Sequence, residues 1–184
     1  MNQIPNLISI ARILFGLLGG FLLWSSAQSA SEDASRLYAG ASGILFLAGA
    51  VSDWLDGYLA RRLGSESQFG ALIDPIADKV LTGSYLAVFV LISQFDPWLT
   101  APVLIILGRD ILVTAIRLSR PQIHKLAVSI EAKLKTAFLM GLILAPFVFV
   151  SLGLQDLTSY YFYWVGGVWF IAILSGWSAH RYFR

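Results

Sequence analysis

Six apolar stretches, each about the 20 residues needed to cross a lipid bilayer as a helix, divide this chain. The stretches are Ile4–Trp24, Leu37–Tyr58, Gly70–Ser93, Trp98–Leu118, Leu134–Leu154 and Tyr160–Ala179. Polar residues are concentrated in the short connections, and only 13% of the chain is charged, whereas soluble domains average about a quarter. The pattern excludes an ordinary soluble domain. It predicts one all-α polytopic membrane domain over residues 1–184, with six transmembrane helices.

The positions of the basic residues predict an orientation. Six crossings place both ends of the chain on the same side of the membrane. If that side is the cytoplasm, every one of the 13 Lys and Arg residues except Arg36 lies at or toward it. Such an excess is typical of the cytoplasmic side of membrane proteins. Glu32, Asp33, Asp96 and Asp156 then mark the opposite side.

Four aspartates interrupt the second and third apolar stretches. Asp53 and Asp56 are three positions apart, and Asp74 and Asp78 are four apart, so each pair shares one face of a helix. For a single carboxylate at membrane depth, protonation or pairing with an arginine would be as good an explanation as a functional role. Four at complementary spacings indicate a bound cation. Two such pairs on neighbouring helices would form a cage of hard oxygen ligands suited to Mg²⁺ or Mn²⁺.

The residues between the aspartate pairs favour an anionic ligand beside the cation. Gly57 and Ala60 lie within a turn of Asp56, and small residues let a bulky group approach the helix backbone. Arg61 supplies a cation that suits a phosphate oxygen. Ser67 belongs to a short segment whose glycine and serines predict a turn.

The whole spaced pattern, Asp53-x₂-Asp56-Gly57-x₂-Ala60-Arg61-x₈-Gly70-x₃-Asp74-x₃-Asp78, resembles the signature of the CDP-alcohol phosphatidyltransferase family. Six short transmembrane helices with the signature on the second and third also resemble that family's helical bundle. The resemblance implies an enzyme that transfers the phosphatidyl group of CDP-diacylglycerol to an alcohol and releases CMP. It also implies a bacterial inner or plasma membrane, a metal-dependent active site facing the cytoplasm, and a homodimer.

The resemblance also implies roles for individual residues. Asp53, Asp56 and Asp74 would be the principal ligands of two Mg²⁺ or Mn²⁺ ions. Asp78 would accept the proton of the attacking alcohol and would also contact a metal. The residues expected to bind CDP-diacylglycerol are Asn6, Gly57, Ala60, Arg61 and Ser67. This donor is already activated by its pyrophosphate, and the sequence contains no G-x₄-G-K-[ST] loop for ATP.

A second group of charged residues lies on the predicted fourth and fifth helices. Arg109 and Arg117 are eight positions apart, which brings them to roughly one helix face, and Lys135 begins the next helix. We expect these three to bind a phosphate of the acceptor in the cavity that holds the carboxylates. The alternative is that Asp110 pairs with Arg109 and that the other cations are ordinary cytoplasmic charges. The segment resembles the branch of the family whose acceptor is sn-glycerol 3-phosphate.

Two other functions remain open at this point. A cardiolipin synthase of the same family would use phosphatidylglycerol as the acceptor, and the Arg-Asp dipeptide at Arg109 also occurs there. A divalent-cation transporter would need polar groups along a path to both membrane faces, whereas the charges here crowd toward one face. Release of CMP from CDP-diacylglycerol would distinguish an enzyme from a transporter. No feature of the sequence indicates nucleic-acid binding.

Overall fold

The computed structural model describes residues 4–63, 68–119, 130–152 and 157–180. Within these ranges, side chains are described for residues 7–52, 73–116, 134–152 and 160–177. The described residues form helices and no strand. The helices are α1 (Ile4–Gln28), α2 (Glu32–Leu63), α3 (Gln68–Ile92), α4 (Pro97–Ser119), α5 (Ile130–Ser151) and α6 (Leu157–His180). The predicted all-α class is therefore confirmed.

Five of these helices, α1 to α5, are long and apolar enough to cross a membrane. Helix α6 contains many aromatic, glycine and serine residues, and its transmembrane assignment stays a prediction. Helix α2 extends further than the predicted span Leu37–Tyr58. Its apolar part is Glu32–Ser52, but the helix continues to Leu63 because the later Leu, Ala and Arg residues are good helix formers. The signature residues before Leu63 are therefore helical rather than part of a loop.

Contacts divide the chain into two compact units, Met1–Ile92 and Ser93–Arg184. The first unit contains α1, α2 and α3, and the second contains α4, α5 and α6. Each unit is described separately below. The prediction of a single domain over residues 1–184 stays a prediction.

Helix α1 packs through a seam of small and polar residues. Most buried positions are three or four residues apart, as expected for one helix face, and they are Ser9, Arg12, Gly16, Gly19, Leu23 and Ser26, with Gly20 buried beside them. The outward face instead carries large apolar side chains, including Leu7, Leu14 and Phe21. Small or polar residues at the helix interface and apolar residues outside are the arrangement expected in lipid. The side-chain pattern of α1 therefore supports a membrane span.

Helices α1 and α3 approach each other closely at Gly16. A Cβ atom added there would lie only 2.8 Å from the Cα atom of Leu81. Ser9 contacts Asp74 nearer the start of both helices, at the same sequence separation of 65. The constant separation means that α1 and α3 run side by side in the same direction. Glycine at position 16 is therefore required for the backbone distance that brings the two helices into register.

Helix α2 is held to the other two helices by buried hydroxyl groups. The Oγ atom of Ser42 donates a hydrogen bond of 2.7 Å to the backbone oxygen of Gly19 on α1. The Oη atom of Tyr85 on α3 donates a bond of the same length to the backbone oxygen of Ser42. The Tyr85 ring also packs edge-on against Phe46, with 4.8 Å between ring centroids. These contacts satisfy the hydroxyl groups of Ser42 and Tyr85, which are both fully buried.

In the second unit, tryptophans on α6 donate hydrogen bonds to its neighbours. The indole Nε1 of Trp169 donates to the backbone oxygen of Trp98 on α4 at 2.9 Å. The Nε1 atom of Trp164 donates to the backbone oxygen of Leu142 on α5 at 2.7 Å. Asp96 caps the start of α4 by accepting a bond from the Trp98 amide at 3.2 Å. Helix α6 therefore joins α4 and α5 in one unit.

The close approach at Gly16 gives a stability prediction. The substitution Gly16→Ala places a methyl group against backbone atoms of Leu81, so α1 and α3 must separate, at about 1–3 kcal/mol of unfolding free energy. Gly40→Ala is the matched control, since a Cβ there meets nothing within 4 Å and should raise helix propensity slightly. Thermal unfolding of both variants in detergent measures the difference. Equal unfolding temperatures for the two variants would contradict the packing described here.

Candidate active site

Two of the predicted metal-ligating aspartates lie on the described part of α3. Asp74 and Asp78 are one helical turn apart, and both side chains are partly buried. The Oγ atom of Ser9, on α1, donates a hydrogen bond to Oδ1 of Asp74. Ser9 is fully buried, so its hydroxyl restricts the orientation of the Asp74 carboxylate. The sequence analysis did not identify Ser9 as part of the site.

A buried arginine follows Ser9 on the same face of α1. Arg12 is 1% exposed, although it lies inside an apolar span, and such residues normally face the protein interior in functional regions. The alignment of α1 with α3 puts Arg12 level with Ala77 and Asp78. Polar residues of α1 therefore lie along the turn of α3 that carries the two aspartates.

Asp78 also has a basic neighbour on its own helix. Its Oδ2 atom lies 3.9 Å from Nζ of Lys79, and the two side chains are 20% and 30% exposed. A partly solvated pair at this distance contributes little to stability. The Asp78 carboxylate is therefore only partly exposed to solvent.

Several predicted site residues fall beyond the described side chains. Those on α1, α2 and α4 have a described helical backbone only, and they are Asn6, Asp53, Asp56, Gly57, Ala60, Arg61 and Arg117. Ser67 lies outside the described residues altogether. The side chains that the structure describes include no group of three acidic or histidine residues able to hold a metal ion. The predicted cage combines Asp74 and Asp78 with two aspartates from the undescribed set, and its carboxylate oxygens suit a hard divalent ion.

A second polar cluster joins all three helices of the Ser93–Arg184 unit. The Nη1 atom of Arg109 donates to Oδ1 of Asp110 on α4 at 2.9 Å. Lys135 of α5 donates through Nζ to the same Oδ1 atom at 3.4 Å. The same Nζ atom donates to Oγ of Ser175 on α6 at 3.1 Å. We call Arg109, Asp110, Lys135 and Ser175 the acceptor cluster, after the binding of the acceptor substrate that is proposed for it below.

Three members of the acceptor cluster are almost completely buried, and the Arg109 side chain is 13% exposed. Asp110 is 3% exposed, Lys135 7% and Ser175 0%. Buried ions are tolerated only with well-placed partners, and here one carboxylate oxygen serves two cations. The contact between Asp110 and Arg109 is the one the sequence allowed as an alternative, but Lys135 shares it and is not an ordinary solvated charge. The structure therefore brings two of the three predicted phosphate-binding cations together.

The acceptor cluster gives a second stability prediction. Asp110→Asn removes the charge shared by two buried cations and should lower the unfolding free energy by on the order of 3 kcal/mol. Glu32→Gln is the matched control, because its pairing with Arg36 is exposed to solvent and should contribute nothing measurable. Chemical or thermal unfolding of the purified variants measures both effects. If both variants unfold like the unsubstituted protein, the buried pairing is not as described.

The fold and these two clusters define a polytopic membrane protein with carboxylates and buried cations within its apolar helices. The sequence matches the CDP-alcohol phosphatidyltransferase family over residues 2–174. The chain therefore belongs to this family, as the signature between Asp53 and Asp78 predicted.

Three relatives indicate which members of the family this chain is similar to. A CDP-diacylglycerol–glycerol-3-phosphate 3-phosphatidyltransferase of Bacillus subtilis (strain 168) is 31% identical over 97% of this chain and 93% of its own length. One of the same name from Pseudomonas fluorescens is 40% identical over 62% of this chain. That match spans only 54% of the Pseudomonas protein, about half its length. A cardiolipin synthase (CMP-forming) of Oryza sativa subsp. japonica is 41% identical over 40% of this chain and 24% of its own length.

Proposed function

We propose that this protein transfers the phosphatidyl group of CDP-diacylglycerol to sn-glycerol 3-phosphate, with release of CMP. The observation that carries the proposal is the similarity to the Bacillus subtilis glycerol-3-phosphate phosphatidyltransferase over nearly the whole of both chains. Membership of the family supports the reaction class. The rice cardiolipin synthase supports a second candidate, with phosphatidylglycerol as acceptor, but over a smaller part of the chain.

The proposed metal site consists of Asp53, Asp56, Asp74 and Asp78, holding two Mg²⁺ or Mn²⁺ ions. Their helical spacing and their hard oxygen atoms support this assignment. The hydrogen bond from Ser9 supports it as well, because it fixes one carboxylate before any ion binds. When bound, the ions would neutralise the donor pyrophosphate and make the acceptor hydroxyl more acidic.

The remaining chemistry is assigned to residues of the chain. The oxygen of the acceptor hydroxyl attacks the phosphorus of the phosphatidyl group, the bond from that phosphorus to CMP breaks, and Asp78 takes the hydroxyl proton. Arg61 binds the donor pyrophosphate, for which its planar guanidinium is suited. Asn6, Gly57, Ala60 and Ser67 complete the donor contacts, as the family resemblance implies.

Arg109, Arg117 and Lys135 are proposed to bind the phosphate of glycerol 3-phosphate. The contacts of Arg109 and Lys135 support this role, since both cations are held in place by Asp110 before an anion arrives. The cytoplasmic orientation, the bacterial inner or plasma membrane and the homodimer are also proposals. The distribution of basic residues supports the orientation, and the family resemblance supports the rest.

The metal proposal predicts a large effect of a small substitution. Asp56→Asn keeps the shape of the side chain but removes a ligand charge, and should slow CMP release at least about a hundredfold. Asp33→Asn, in the exposed first turn of α2, is the matched control and should leave the rate unchanged. A chelator should abolish activity, and added Mg²⁺ or Mn²⁺ should restore it. Full activity in the chelator would rule out metal dependence.

The acceptor proposal predicts a selective change in KM. Arg109→Ala removes a partly buried cation proposed to bind the phosphate, so it should raise KM for glycerol 3-phosphate far more than KM for CDP-diacylglycerol. Arg36→Ala, which removes an exposed cation, serves as the control. One reaction that offers both acceptors to a labelled donor identifies the product. If the product is cardiolipin and no phosphatidylglycerophosphate forms, the proposed acceptor is wrong and the acceptor is phosphatidylglycerol.

A further inference from the structure

Ser175 is the uncharged member of the acceptor cluster, and neither the family signature nor the proposed mechanism uses it. It lies on α6, is completely buried, and accepts a hydrogen bond of 3.1 Å from Nζ of Lys135. The same nitrogen donates to Asp110 on α4 at 3.4 Å. The lysine ammonium is therefore held by hydrogen-bond acceptors on two different helices, α4 and α6.

Two fixed acceptors define the direction of an ammonium group. A lysine side chain is long and flexible, and its ammonium carries three donors arranged tetrahedrally. Contacts to Ser175 and Asp110 therefore restrict the rotation of the Lys135 ammonium. A preorganised donor binds an anion more tightly, because less side-chain freedom is lost on binding.

The hydrogen-bond acceptor at position 175 also affects the charge of the cluster. A hydroxyl provides a lone pair without adding a charge. The four side chains of the cluster therefore carry two formal positive charges, on Arg109 and Lys135, and one negative charge, on Asp110. A carboxylate at position 175 would fix Lys135 equally well but would cancel the positive charge that attracts an anion.

We propose that Ser175 is a positioning residue for the phosphate of the acceptor, acting through Lys135. This inference rests on the proposed function, in which Lys135 binds the phosphate of glycerol 3-phosphate. Ser175 does not contact the substrate. It orients the Lys135 ammonium toward the phosphate and leaves the local charge positive.

The test compares two serine-to-alanine variants of the same unit in the purified full-length protein. Ser175→Ala removes the hydroxyl that accepts from Lys135. Ser151→Ala removes an exposed hydroxyl that donates within its own helix, to the backbone oxygen of Val148. We expect Ser175→Ala to raise KM for glycerol 3-phosphate about tenfold, the usual effect of losing a hydrogen bond to a charged group. KM for CDP-diacylglycerol and both constants of Ser151→Ala should stay unchanged.

A double substitution shows whether Ser175 acts through Lys135. Lys135→Met alone should raise KM for glycerol 3-phosphate, and adding Ser175→Ala to it should have no further effect, because the group that Ser175 positions is gone. Binding is measured separately from activity by the rise in unfolding temperature that glycerol 3-phosphate produces. Ser175→Ala should reduce that rise.

The outcomes separate this inference from the function on which it rests. If the unsubstituted protein makes no phosphatidylglycerophosphate, the proposed function fails and the inference fails with it. If the unsubstituted protein makes phosphatidylglycerophosphate but Ser175→Ala leaves the KM for glycerol 3-phosphate unchanged, only the positioning role is wrong. Equal increases in both KM values, or additive effects of the two substitutions, would assign Ser175 a purely structural role.

Discussion

A bilayer cannot solvate ions or hydrogen-bonding groups, so every polar side chain within an apolar helix must find its partners inside the protein. This constraint links packing to the candidate site in the first unit. The seam of α1 that approaches α3 at Gly16 continues toward Ser9 and Arg12, while Leu7 and Phe21 face outward. The contact surface that holds the helices together is therefore also the surface that carries the polar groups. A change in helix spacing at Gly16 would alter the position of Ser9 relative to Asp74.

The fold could be predicted from sequence to the extent that it depends on local pattern. Apolar length identified α1 to α5 as spans, and helical spacing paired Asp74 with Asp78. The two serines of the sites could not be identified in this way. A single serine in an apolar helix is equally compatible with close helix packing, so Ser9 and Ser175 are distinguished only by their partners. Ser9 lies 65 positions from its partner and Ser175 lies 40 from Lys135, and one sequence does not reveal such long-range alignments.

The two polar clusters favour opposite charges, and this difference bears on the choice of acceptor. Aspartates on α3 suit cations, whereas Arg109 and Lys135 suit an anion. Glycerol 3-phosphate carries a phosphate group in addition to its reacting hydroxyl. Phosphatidylglycerol carries its negative charge on a phosphodiester within the lipid, and its glycerol head group has no terminal phosphate. In the proposed function, the acceptor cluster would bind the terminal phosphate of glycerol 3-phosphate, the acceptor named for the relative that aligns over almost the whole chain.

The arrangement around Asp110 also explains how such a site can be both stable and receptive to an anion. Arg109 and Lys135 bond to the same carboxylate oxygen, at 2.9 Å and 3.4 Å, so the two cations lie close together in a region of low dielectric and repel each other. Asp110 holds them in place, and Ser175 fixes one of them without adding charge. With two cations and one carboxylate, these side chains keep one formal positive charge. In the proposed function, this remaining positive charge would attract the phosphate of the acceptor.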